Sequence, residues 1–97
     1  MAPLPQVRIL PQVLFQVLEG ESILLDLQQE QYFGLNEVGT RFWQLLAETA
    51  DVPAVAAQLL AEFDVDEATL HQDLADLIAA LLANGLVAAV DDVAAGA

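Results

Sequence analysis

Cysteine and lysine are both absent from the chain, and serine and histidine occur once each. Without cysteine there is no disulfide framework, no thiolate metal site, no iron–sulfur cluster held by this chain and no thiol nucleophile. Without lysine, all fixed positive charge rests on Arg8 and Arg41, against fifteen acidic residues, for a net charge of -13. A nucleic-acid binder draws most of its affinity from Lys and Arg neutralising phosphates. Nucleic acid is thereby excluded as a partner, and a basic partner is favoured. No apolar run approaches the roughly 18 to 20 residues of a membrane helix. The opening MAPLPQVRILPQ carries prolines where a signal peptide would carry an apolar stretch. The chain reads as soluble and cytoplasmic, with no membrane partner.

The same scarcity argues against catalysis. A nucleophile needs a neighbouring base and an orienting third group, and the chain has only Ser22, beside a turn, and His71, in a helical stretch. A lone histidine without cysteine also lacks the usual zinc ligand set. The acidic run Asp64-Val65-Asp66-Glu67 suggests a calcium loop. Counted from Asp64, however, the glycine position holds Thr69 and the closing glutamate position holds Ala75. These carboxylates read as the start of a helix. An acyl carrier protein is excluded as well, because Ser22 sits between Glu21 and Ile23 in a strand, not in an Asp-Ser-Leu helix start. The expectation is a non-enzyme that needs no cofactor and no metal.

What the chain does have is apolar residues, 57% of 97, enough for one modest core and one domain. Their period changes once, near Asn36. Val13 to Leu18 reads as a strand, Glu19-Gly20-Glu21 as a tight turn, and Ser22 to Leu27 as a second strand. The second strand places Ile23, Leu25 and Leu27 on one face, with Leu24 and Asp26 on the other. After polar Gln28 to Gln31 comes a short third strand, Tyr32 to Leu35. From Asn36 the period is helical. Asn36, Asp51 and Asp66 are N-caps of three helices, Pro53 lies in a first turn, and Asn84-Gly85 is a stop signal. Phe42 and Trp43 belong to the core. Leu86 to Val90 could add a short strand. Residues 1–12 and 91–97 are expected to be loose tails around a domain spanning 13–90. The predicted fold is α+β, a three-stranded antiparallel sheet followed by three helices, winged-helix-like.

Two features go beyond core formation. On the third helix, Leu70, Leu74, Leu77 and Leu81 form a stripe that His71, Ile78 and Leu82 widen. Asp73, Asp76, Ala80 and Asn84 make a small, acidic border. An arc of roughly 160° exceeds what packing against one neighbour needs; it fits a helix wedged between two others, or one that gives a side to a groove. In the third strand, Tyr32 and Phe33 point to opposite faces, so one aromatic stays outside the core. Gly34 permits close backbone approach. An edge strand left open can pair with an incoming peptide.

The strand end Leu24-Leu25-Asp26-Leu27, the run Tyr32-Phe33-Gly34-Leu35-Asn36-Glu37-Val38-Gly39-Thr40, the helix pieces Phe42-Trp43-Gln44-Leu45-Leu46 and Val55-Ala56-Ala57-Gln58-Leu59, the Phe63-Asp64-Val65-Asp66 link, and Leu81-Leu82-Ala83-Asn84-Gly85-Leu86-Val87 together resemble the PqqD-like family, the RiPP recognition elements. The aromatic-aromatic-Gly-Leu-Asn step into the first helix is the most specific piece, and the likeness covers about Val13 to Val87.

That resemblance implies a non-catalytic chaperone. It would bind the leader of a ribosomally made precursor peptide as an added strand and present it to a modifying enzyme or leader protease. Members serve pyrroloquinoline quinone, lasso-peptide and radical-SAM pathways. Here the enzyme or protease would be a separate chain. By the same resemblance, the backbone of Gln31, Tyr32, Phe33 and Gly34 would hydrogen-bond the leader. Leu74, Leu77 and Leu81 would floor the groove, with Asp73 and Asp76 at its rim. The alternatives are a winged-helix-like regulatory domain, which the charge disfavours, and a small oligomerisation domain that pairs its open edge with another copy.

Overall fold

The computed structural model describes residues 3–90. Its elements are β1 (Val7–Ile9), β2 (Val13–Leu18), β3 (Glu21–Asp26), β4 (Gln31–Leu35), α1 (Glu37–Thr49), α2 (Val52–Glu62), α3 (Glu67–Ala83) and β5 (Val87–Ala89). Strands β2, β3 and β4 form an antiparallel sheet in that order, and β1 pairs antiparallel with β5 in a separate ribbon. The predicted class, α+β with a three-stranded sheet followed by three helices, is the one observed.

Local chemistry explains most of these boundaries. The β2–β3 turn is two residues long, and both Glu19 (φ 49°) and Gly20 (φ 88°) are left-handed, as the tight turn matched to strand twist requires. The β3–β4 turn is built on Asp26. Its Oδ1 accepts from the Gln28 and Gln29 N–H groups at 2.9 and 3.2 Å, and its Oδ2 accepts from Gln29 Nε2 at 3.1 Å. Three donors are what keep a carboxylate that is only 1% exposed from being a large penalty. All three expected N-caps are in place. Asn36, Asp51 and Asp66 each accept from the backbone N–H three residues on, at 2.8, 3.4 and 3.2 Å. At the end of α3, left-handed Gly85 lets Leu86 N–H reach the Leu81 carbonyl (3.0 Å) and its own N–H reach that of Leu82 (3.1 Å). This paired closure is the stop that a glycine after a helix provides.

The core lies between the inner face of the sheet and the three helices. Leu24 and Leu35 from the sheet meet Phe42, Trp43, Leu45 and Leu46 of α1, Val52, Val55 and Leu59 of α2, and Leu70, Leu74, Ile78 and Leu81 of α3. Phe15 stacks on Trp43 with ring centroids 6.3 Å apart. Ser22 and Thr40 share a buried hydrogen bond of 2.8 Å that ties β3 to α1.

One expectation needs correction. Residues 1–12 are not all loose tail, because β1 lies within them. Val7 is fully buried, β1 pairs with β5 in register from Val7↔Ala89 to Ile9↔Val87, and Gln6 Oε1 accepts from the Val52 N–H at 3.0 Å at the start of α2. The segment buries apolar surface and covers a helix terminus, which offsets the entropy of ordering it. The strand expected in Leu86 to Val90 is present as β5, and β1 is its partner. The expectation for 91–97 lies outside the described residues.

Candidate functional site

Between β4 and α3 runs a groove of about 500 Å³. Phe33, Gly34 and Leu35 of β4 form one wall and Asp73, Leu74, Asp76, Leu77 and Ala80 of α3 the other. Asn36, Val38 and Gly39 at the start of α1 close one end. The end is tight at Gly39, where a Cβ would lie 3.2 Å from Leu35 Cδ2 and 3.3 Å from Asn36 Oδ1.

The strand beside the groove is an edge, since among the described residues nothing pairs with the far side of β4. Which of its backbone groups face outward follows from the register. Antiparallel pairs alternate between hydrogen-bonded and open. Leu27, just past the end of β3, donates to the Gln12 carbonyl at 3.1 Å, so the odd-numbered residues of β3 turn toward β2. Ser22, Leu24 and Asp26 then turn toward β4, where their partners are Leu35, Phe33 and Gln31. Tyr32 and Gly34 are left with N–H and C=O directed away from the sheet. Their side-chain positions lie on the outer face; Phe33 and Leu35 face inward to the groove.

The expected site residues divide accordingly. Phe33, Gly34, Asp73, Leu74, Asp76 and Leu77 come together around the groove. Gln31 and Phe33 are paired to β3 through their backbone, so of the four expected backbone partners only Tyr32 and Gly34 have outward-facing groups. The Tyr32 side chain is 79% exposed and lies over the outer face with Leu14, Ile23 and Leu25. Leu81 is a correction: it is fully buried and does not reach the groove. The stripe that continues from Leu70 and Leu74 is core, and the groove wall is displaced from it around the helix. Leu74 contributes only an edge, at 1% exposure. Sequence reasoning missed Leu35, Asn36, Val38, Gly39 and Ala80 as lining. For Ala80 a signal existed, because it lies on the same flank as Asp73, Asp76 and Leu77.

Charge at the groove is all of one sign. Asp73 and Asp76 stand on its α3 wall, and Asp76 Oδ1 accepts from Gln72 Nε2 at 2.9 Å. Neither arginine lines the groove. Arg8 lies on β1, and Arg41 is held to Glu62 through Nε–Oε1 at 2.7 Å and Nη2–Oε2 at 2.9 Å. That guanidinium, with the Gln58 amide, holds the Glu62 carboxyl at about 2, well below the carboxylate range. The two candidates for nucleophilic chemistry are apart in role. Ser22 is buried on Thr40, while His71 lies in a cleft between α2 and α3. Among the described residues, no cluster of His, Asp and Glu is placed to hold a metal, and no helix is long and apolar enough to cross a membrane.

Comparison with known proteins gives two findings. A solved structure, TbiB1 in complex with the TbiA(beta) leader peptide, matches with a TM-score of 0.76 at 36% identity, over 82% of this chain and 93% of that one. No curated protein matches the chain. The family model for coenzyme PQQ synthesis protein D matches residues 21–87, from β3 to the first residue of β5. That span takes in both walls of the groove and exceeds half the chain, and the protein belongs to the PqqD family.

Proposed function

We propose that this protein binds the leader of a ribosomally synthesised precursor peptide along β4 and presents it to a separate modifying enzyme or leader protease, without chemistry of its own. The observation that carries this reading is the juxtaposition of a free strand edge with an apolar groove. Tyr32 and Gly34 offer backbone donors and acceptors, and an extended peptide pairing there would send alternate side chains against Phe33, Leu74 and Leu77. Membership of the PqqD family and likeness to a protein held with a leader peptide support the same reading.

The test uses precursor peptides encoded near this gene, synthesised as separate leader and core halves and titrated by calorimetry. The leader half is expected to bind at roughly micromolar affinity or tighter, about -8 kcal/mol, and the core half not at all. Binding of the core half alone, or of neither half from any neighbouring precursor, would contradict the proposal. A second reading, an oligomerisation domain, draws on the exposed Leu14, Ile23 and Tyr32 of the outer sheet face. Light scattering that gives the mass of one chain at high concentration would dismiss it.

A further inference from the structure

We infer that the groove selects its peptide by a basic side chain and a large apolar side chain two residues apart. The inference rests on the proposed binding mode and adds to it the chemistry of the ligand.

The two walls are of similar length. From Asp73 to Ala80 the helix rises about 10.5 Å at 1.5 Å per residue. From Phe33 to Asn36 an extended backbone covers about 10 Å. An extended peptide between them repeats its inward side chains every ~6.8 Å, so two such side chains, at i and i+2, fill the wall. The wall has two chemically distinct ends. Asp73 and Asp76, one turn apart, form an acidic end, while Leu77 and Ala80 form an apolar end where the small Ala80 leaves depth.

Among the described residues, the acidic end has no Lys or Arg beside it in the groove lining. No basic side chain lines the groove, the chain contains two arginines and no lysine, and Arg41 is committed to Glu62. The Gln72 amide that reaches Asp76 supplies a donor but no charge. A Lys or Arg at one inward position of the peptide brings the first opposite charge to this pair, and an aliphatic or aromatic side chain two residues away fills the space over Ala80.

The test is a phage-displayed library of random dodecapeptides, selected in parallel on four proteins. These are the wild type, Asp73→Asn/Asp76→Asn, Ala80→Leu, and a control, Glu48→Gln/Asp64→Asn, which removes equal charge from exposed positions outside the groove. Wild type and control are expected to enrich Lys or Arg and a large apolar residue at i and i+2. The Asn pair should lose the basic preference and keep the apolar one; Ala80→Leu should do the reverse. A synthetic consensus peptide should lose roughly three- to tenfold in affinity on the Asn pair. Enriched peptides without this spacing, or a basic preference that falls equally on the control, would overturn the inference and leave peptide binding standing. Failure to enrich any peptide on the wild type would overturn both.

Discussion

Helix α3 carries two parallel flanks that differ in what lies against them. Leu70, Leu74, Ile78 and Leu81 face the sheet and the other helices, none more than 4% exposed. Asp73, Asp76, Leu77 and Ala80 follow the same helical spacing a fraction of a turn away and face the groove. Both flanks contain leucine, so hydrophobicity does not separate them. The groove flank mixes acid, one large apolar residue and one small one, a composition poor for a core and suited to a surface that is covered only when a ligand arrives. A helix can thus serve stability and recognition at once, provided the two sets of side chains are kept apart around its axis.

The sharpest way to break that distinction is to truncate one residue from each flank. Ile78→Ala and Leu81→Ala should each cost about 2 to 5 kcal/mol of stability, read as a lower denaturation midpoint. Peptide affinity of the fraction that remains folded should be unchanged. Leu77→Ala should give the opposite balance, with a smaller loss of stability and a weaker complex. If Leu81→Ala weakened binding in fully folded protein, or Leu77→Ala proved as destabilising as Ile78→Ala, the two flanks would not be separate.

A second comparison sets β4's outward-facing groups against its paired ones. Gly34→Pro removes one outward N–H, and proline is tolerated on an edge strand. A Cβ at this position would meet nothing within 4 Å. The fold should survive, and the peptide should lose roughly 1 kcal/mol or more. Phe33→Pro should instead break the ladder to β3 and destabilise the protein. The smallest expected effect concerns the ion pair between α1 and α2, which belongs to neither flank. Glu62 titrates lower in the folded chain than when unfolded, so its contribution is present above the unfolded value near 4.5 and is lost as pH falls toward 2. The melting difference between wild type and Arg41→Gln should therefore be slight at neutral pH and vanish in acid, with no change in peptide affinity.

What could be read in the sequence was what depends on neighbours along the chain. Asn36, Asp51 and Asp66 announce their helices because capping involves residues three apart, and Gly85 announces a stop because the closure is local. The three strands of the sheet were legible from alternation, and the open β4 edge from an aromatic pair that cannot both be core. Of the β1–β5 ribbon, the strand after the Gly85 stop was legible, and its partner β1 was not. Ile9 and Val87 meet from opposite ends of the chain, and each strand is three residues long, so no periodicity develops. The groove was half legible. The sequence pattern points to Asp73, Asp76 and Leu77, but it also points to Leu81 where the structure has Ala80. Hydrophobicity favours the leucine, and only the packing of α2 and the sheet decides which flank is covered.

The central claim, that a leader peptide adds to the β4 edge as a strand, is tested most directly by amide hydrogen exchange followed by NMR with and without a bound leader. The Tyr32 and Gly34 amides, which face away from the sheet, are expected to exchange rapidly in the free protein and to become strongly protected in the complex. Gln31, Phe33 and Leu35, already bonded to β3, should change much less. Protection confined to the α3 backbone, with Tyr32 and Gly34 still exchanging freely in the saturated complex, would contradict strand addition.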